Sequence, residues 1–208
     1  MTIKTIIFDL GGVIVDIDYS NFYRQIIALS PLEKPRSRIL LEFFRQSDLY
    51  HQGKMTDEEF YKLACEILQV CILNQNQFFD AFNSIICGTC QPEMISLLKK
   101  IKEMKKYKIM ALSNVNSSHW NYILNNKWEF LELFDEFLLS HEVHLTKPDP
   151  RIFQLAIEKS GCNAEEIVYI DDGLNNIRSA NDIGIQGIYF TNIDDLIEEF
   201  KKLKIIKN

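Results

Sequence analysis

The sequence predicts an α/β fold: a three-layer parallel sheet core with helices on both faces and an inserted helical bundle. Two observations carry this. Short apolar runs that end in Gly, Ser, Asn or Asp alternate with stretches of helical periodicity along residues 1–15 and 107–190, the pattern of a covered parallel sheet. Between them, from about Tyr19 to Asn83, no Gly-bounded strand occurs and the apolar residues recur at helical spacing.

The elements follow in order. Thr5-Ile6-Ile7-Phe8 reads as a buried strand ending at Asp9, after which Gly11 and Gly12 turn the chain sharply. Leu41, Phe43 and Phe44 belong to one helical run. Phe60, Leu63, Ala64, Ile67 and Leu68 belong to a second, opened by Thr56 and Glu59 as a capping box. Phe78, Phe79 and Phe82 mark a third. Residues 17–87 are therefore expected to form a separate helical cap on a core made of 1–16 and 88–208. The aromatic residues of the cap, Tyr23, Phe43 and Phe44 among them, are read as its own core, and a bundle over the sheet would act as a lid.

In the core, Pro92 and Glu93 suit the first turn of a helix over 92–106. A strand at 108–112 ends at Ser113-Asn114, and a helix is expected at 118–128. A weaker strand near 136–139 leads into a loop from His141 to Pro150, where Pro150 opens a helix over 150–160. Ile167-Val168-Tyr169-Ile170 ends at Asp171-Asp172, a helix over 175–183 is closed by Gly184, and a last strand lies at 187–190.

Composition narrows the function. The 208 residues suit one core plus a small insert. With 23 Lys+Arg against 29 Asp+Glu, a net charge of -6 and no concentrated basic block, a nucleic-acid partner is not expected. No apolar run reaches the roughly 18–20 residues of a membrane span, and the chain opens directly on a core strand, so a cytoplasmic protein is expected, monomeric or weakly dimeric. The five cysteines, including the C-x-x-C pair Cys87 and Cys90, lack the partners of a zinc site and read as free thiols.

Chemistry-bearing residues gather where strands end. The carboxyl edge of a parallel sheet is where such folds bind ligands, and Asp9, Ser113-Asn114 and Asp171-Asp172 all fall there, with Lys147 in a neighbouring loop. Carboxylates in that number suit Mg²⁺, and a carboxylate beside the metal can attack phosphorus. A hydroxyl and a backbone N–H can hold phosphoryl oxygens, while a lysine balances developing charge.

At these residues the chain resembles the haloacid dehalogenase-like hydrolase superfamily, in the subgroup with a helical cap. Phe8-Asp9-Leu10-Gly11-Gly12-Val13-Ile14 resembles its first motif, Ala111-Leu112-Ser113-Asn114 its second and Lys147-Pro148 its lysine motif. Tyr169-Ile170-Asp171-Asp172 with Asn175-Asn176 resembles the acidic fourth motif. The run from Phe8 to Asp18, with Asn116, His119 and His51-Gln52-Gly53, is most similar to bacterial phosphatases of sugar phosphates such as glucose 1-phosphate.

The resemblance implies a Rossmann-like core and a small phosphorylated metabolite as substrate. Asp9 would be the nucleophile, with Mg²⁺ on Asp9, the Gly11 carbonyl and Asp172, and with Asp171 and Asn176 supporting them. Ser113 and Lys147 would hold phosphate, and Asn114, Gly12, His119 and His51 would face substrate. Gly11 departs from the pattern, because most phosphatases of the superfamily carry there an Asp that acts as general acid and base. His119 is the obvious substitute, with first-turn capping as its alternative; His51 and Lys54 are placed facing substrate, and Asp16 and Asp18 at the hinge, capping a helix or holding hydroxyls. The missing acid keeps two alternatives open, a phosphometabolite- or protein-binding module and a 2-haloacid dehalogenase.

Overall fold

The computed structural model describes residues 2–69, 74–88 and 92–207. Cys71 and Cys90 lie outside these residues, and with Cys90 the C-x-x-C reading.

Five strands build one sheet: β1 (Thr5–Phe8), β2 (Lys108–Ser113), β3 (Glu136–Leu139), β4 (Ile167–Asp171) and β5 (Gln186–Tyr189). Their order is β3-β2-β1-β4-β5, and every pairing is parallel. The chain builds outward from β1 on one side and then returns to the other, which places a topological switch point at the centre of the sheet.

Period-two alternation sorts the central strands between two cores. Ile6, Phe8, Ile109, Ala111, Val168 and Ile170 point to one face and Ile7, Met110, Leu112, Ile167 and Tyr169 to the other. The first face is covered by α6 (Pro92–Glu103), α7 (Ser117–Asn126) and α11 (Ile193–Lys202), through residues such as Met94, Leu98, Trp120 and Phe200. The second is covered by α9 (Pro150–Ser160) and α10 (Leu174–Asp182), through Ile152, Phe153 and Ala180. This is the expected three-layer architecture.

The helical cap lies between β1 and β2 in α1 (Ser20–Gln25), α2 (Arg36–Gln46), α3 (Asp48–His51), α4 (Asp57–Leu68) and α5 (Gln75–Asn83). It has its own core, in which Phe22, Phe43, Phe60 and Phe82 are fully buried. Tyr50 stacks on Phe60 with ring centroids 4.1 Å apart. The capping box of α4 is present, Thr56 accepting from the Glu59 N–H and the Glu59 carboxylate accepting in return from Thr56 N–H at 2.8 Å.

Several expectations need correction. Leu41 is 71% exposed, because it lies on the face of α2 opposite Ile39 and Phe43. Tyr23 is exposed as well, and Phe44 is only half-buried, at the edge of the bundle. The loop after β3 begins as a short helix, α8 (Ser140–Val143). The helix from Pro92 stops at Glu103, before Lys105 with its φ of 51°. The helix α11 follows the last predicted strand; Asn192 caps it by accepting from Asp195 N–H, and Leu196 and Phe200 form its buried stripe.

Cap and core meet along a polar seam. Gly53, at φ 63°, brings its backbone so close to His141 that an added Cβ would lie 2.0 Å from the His141 carbonyl oxygen. Ser140 Oγ donates to the His51 carbonyl at 2.7 Å, and Ser118 Oγ donates to Asn83 Oδ1 at 2.8 Å. Gly53→Ala must therefore push the cap off α8, since the obstacle is backbone. Gly161 has a similar φ of 71° but nothing within 4 Å of its missing Cβ, and so isolates conformational strain from collision. Thermal unfolding should show a clearly larger fall in Tm for Gly53→Ala than for Gly161→Ala; equal shifts would mean that the close approach contributes nothing.

Candidate active site

Strand register brings the acids together. Phe8 pairs with Ile170, so the next residues, Asp9 and Asp171, leave the sheet side by side, and Asp9 N–H donates to the Ile170 carbonyl at 2.8 Å. Lys147 lies between them, its side chain 1% exposed. Its Nζ donates to Asp9 Oδ1 at 2.8 Å, to Asp171 Oδ2 at 2.7 Å and to the Leu112 carbonyl at 3.0 Å. Burial pulls the ammonium pKa down, but Asp9 and Asp171 outweigh it and hold the group above its ordinary value.

The lysine loop is fastened by Asn114. Its Nδ2 donates to the Lys147 carbonyl at 2.9 Å and its Oδ1 accepts from Lys147 N–H at 2.8 Å. Asn114, expected on the substrate, borders the pocket but has its amide engaged in positioning Lys147. Ser113, at the end of β2, is buried and lines the same pocket.

The two adjacent acids at the end of β4, Asp171 and Asp172, differ in environment. Asp171 Oδ1 accepts from Gly173 N–H at 2.6 Å and Asn176 Nδ2 at 2.9 Å, while Oδ2 takes Lys147 and the Tyr169 hydroxyl. Burial pushes its pKa up, but Lys147 and these donors prevail and hold it below the ordinary carboxylate value. Asp172 is exposed at the pocket, and burial of its carboxyl followed by the charge of Asp171 raises its pKa. It sits against Gly12, where an added Cβ would lie 2.3 Å from Asp172 Oδ2 and where φ is 77°. Gly12 N–H donates to the Val15 carbonyl at 2.9 Å. Gly12 thus gives room for the acid, and its N–H, expected on substrate, is held in the turn.

Asp9 is 8% exposed, and burial raises its pKa to about 7 against the opposing pull of Lys147, with Asp171 adding to the rise. Asp9 Oδ1 accepts from Lys147 Nζ and from Leu10 N–H, the latter at 2.7 Å. Ligand atoms of Asp9, Asp171 and Asp172 lie within 4.8 Å of one another. Three carboxylates beside one lysine leave an excess of negative charge that a divalent oxygen-seeking cation would neutralise. The donor set fits Mg²⁺.

Asp9, Asp172 and Lys147 line a cavity of about 690 Å³ whose cap side includes Tyr19, Phe44 and His51. Tyr19 and Phe44, missed in the sequence, meet edge to face at 5.2 Å; no motif singles them out, since aromatics at helical spacing look like core. Lys54 is exposed, bonds Gln52 at 2.6 Å and is absent from the described lining of this cavity.

The histidines are fastened. His119 stacks on Phe82 at 4.3 Å, its Nε2 lies 3.1 Å from the Phe82 carbonyl and its Nδ1 lies 3.1 Å from Asn116 Nδ2. Burial, helped by His51, lowers its pKa to about 3 despite the Phe82 carbonyl. A neutral ring with both nitrogens engaged braces α5 against α7 at the border of the cavity. His51 ends α3, with Nδ1 3.0 Å from the Ser47 carbonyl and Nε2 3.4 Å from Asn116 Nδ2, and burial lowers its pKa. At the hinge, Asp18 Oδ1 accepts from Ser20 N–H at 2.8 Å and so caps the start of α1.

Comparison with known proteins agrees with this geometry. A family model described as haloacid dehalogenase-like hydrolase matches residues 3–184. The D-ribitol-5-phosphate phosphatase of Bacteroides thetaiotaomicron is 27% identical over 193 residues, covering 88% of this chain and 90% of the relative. The drimenol cyclase of Aspergillus calidoustus is 25% identical over 202 residues, and the match spans 93% of this chain but only 35% of that protein. A solved HAD family enzyme of B. thetaiotaomicron, in complex with magnesium and inorganic phosphate, superposes with a TM-score of 0.75 at 26% identity, covering 91% of this chain and 94% of the other. The chain, with its helical cap between β1 and β2 and an aspartate cluster suited to hydrolysing a phosphoric monoester, belongs to the haloacid dehalogenase-like hydrolases.

Proposed function

We propose that the protein is a magnesium-dependent phosphatase of a small phosphomonoester, a sugar phosphate, acting through an aspartyl-phosphate. The observation that carries this reading is Asp9, held beside Asp171 by one buried lysine at the floor of a cavity wide enough for a metabolite. The phosphatase named among the relatives and the phosphate and magnesium held by the similar solved enzyme support it. In this reading residues 17–87 are the cap and 1–16 with 88–208 the core, and the protein works in the cytoplasm as a monomer or weak dimer. Cys87 and Cys162 are free thiols, as a reducing compartment favours. Among the described residues, no helix is long and apolar enough to cross a membrane.

The Asp9 and Asp172 carboxylates and the Gly11 carbonyl would hold the Mg²⁺, with Asp171 and Asn176 bracing them. The ion supplies Lewis-acid polarisation of the phosphoryl group and lets an anionic nucleophile approach an anionic substrate. Asp9 attacks phosphorus, and water then cleaves the resulting acyl phosphate. Lys147 draws Asp9 toward its ionised form against the effect of burial and exchanges its Leu112 bond for a phosphoryl oxygen, while the Ser113 hydroxyl holds another. His51 borders the substrate from the cap, and His119 and Asn114 hold the surrounding walls.

Phosphate release measured across a panel of phosphorylated metabolites should reveal turnover of sugar or polyol phosphates that EDTA abolishes and Mg²⁺ restores. A flat panel with retained phosphate binding favours the binding module that Gly11 leaves open, and metal-independent release of chloride from a 2-haloacid favours the dehalogenase. Asp9→Asn should eliminate turnover, because an amide neither attacks phosphorus nor completes the metal's charge; residual activity within tenfold of the parent would remove Asp9 as nucleophile. Protons and metal compete for Asp9, whose pKa is about 7, and for Asp172, whose pKa is also raised. The increase in Tm on adding Mg²⁺ should therefore be larger at pH 8 than at pH 5, and the reverse order would contradict a carboxylate metal site.

A further inference from the structure

Gly11 carries no side chain that can move a proton, yet an alkoxide leaves phosphate poorly unless it is protonated. The polar groups around the cavity can be taken in turn. Asp9 and Asp172 belong to the acidic cluster, and Lys147 directs its donors to Asp9, Asp171 and the Leu112 carbonyl. His119 has both ring nitrogens engaged, and His51 is bonded to the Ser47 carbonyl and Asn116. Among the described residues lining the cavity, one carboxylate remains outside the cluster, that of Asp16.

Its position follows from the turn after β1. Gly11 bridges Val15, and Gly12 N–H donates to the Val15 carbonyl at 2.9 Å, so the chain doubles back beside the residue that lacks the acid. Val15 is 2% exposed and points into the core; in extended backbone the next side chain points the opposite way, and Asp16 is exposed at the cavity. The Asp16 backbone is held where the cap joins the core. Its carbonyl accepts from Cys87 N–H at 3.1 Å, and Ile17 forms an isolated antiparallel bridge with Ile86 where the chain returns from the cap.

We propose that Asp16 is the general acid and base of this enzyme, doing from the far limb of the turn what Gly11 cannot do from the near one. The inference rests on the phosphatase reading. In the first step an Asp9 oxygen forms a bond to phosphorus, the bond from phosphorus to the leaving oxygen breaks with its electron pair, and the Asp16 carboxyl gives that oxygen its proton. In the second, the Asp16 carboxylate takes a proton from water as the water oxygen bonds to phosphorus. The bond from phosphorus to Asp9 breaks, and inorganic phosphate, the Asp9 carboxylate and protonated Asp16 result.

The test uses phenyl phosphate, whose leaving group needs a proton, and p-nitrophenyl phosphate, whose leaving group departs as the anion. Asp16→Asn should lower kcat/KM for phenyl phosphate by the order of 10²–10⁴-fold and leave kcat/KM for p-nitrophenyl phosphate within about threefold. The same variant should release p-nitrophenolate in a burst near one per enzyme before slow turnover, because hydrolysis of the acyl phosphate lacks its base. Gly11→Asp added to Asp16→Asn should recover phenyl phosphate turnover; Gly11 is not at positive φ, and its added Cβ meets only Ile17, at 3.4 Å. Equal losses on both substrates, or no loss on either, in a variant of unchanged Tm would overturn the role of Asp16 while phosphatase activity stands. A parent inert toward both substrates and the metabolite panel would overturn the phosphatase reading and this proposal together.

Discussion

Everything at the head of the sheet depends on one buried ammonium. Asp9 and Asp171 leave adjacent parallel strands at the same level, and two carboxylates so placed repel strongly in a low-dielectric interior. Lys147 makes the arrangement tolerable by bonding both, and Asn114 keeps its loop in place by pairing with its backbone. The balance is uneven. Asp171, with four donors, is held ionised, whereas Asp9 is pushed up to about 7. Three carboxylates against one lysine leave an excess of negative charge that suits the site to a cation.

The same turn contains two glycines with different reasons for being there. Gly12 is fixed by geometry, since its φ of 77° and the approach of Asp172 both exclude a side chain. Gly11 is under neither constraint, with only Ile17 against its open position. Its lack of a carboxylate is therefore a chemical choice and not a steric necessity, and the acid it omits has room to be supplied from the other limb of the turn.

Cap docking gives the histidines a common role. All four histidines of the chain lie along the seam: His51 and His119 meet at Asn116, His141 Nδ1 lies 2.9 Å from the Val115 carbonyl, and His144 Nδ1 lies 2.8 Å from the Gln52 carbonyl. Imidazoles suit this work because they offer a donor and an acceptor on a flat ring that also stacks, as His119 does on Phe82. The cap's aromatic core lies behind them, so the wall facing the cavity is set by Tyr19 and Phe44 at its edge.

Local signals in the sequence determined the layered core, the inserted helices and the capping box of α4, because periodicity, strand-end glycines and caps depend on residues close in the chain. They also brought Asp9, Ser113, Lys147 and Asp171-Asp172 to one edge, since each closes or follows a strand. Faces and partners were not local properties. That Leu41 turns outward, that Asn114 bonds a lysine loop, and that His119 is locked between Phe82 and Asn116 depends on segments 33 to 37 residues away for the last two and on bundle packing for the first. Which of the two adjacent β4 acids is saturated was likewise decided by tertiary contact. Alternation sends Asp171 toward Lys147 from a central strand, while Asp172 falls beyond the strand against Gly12.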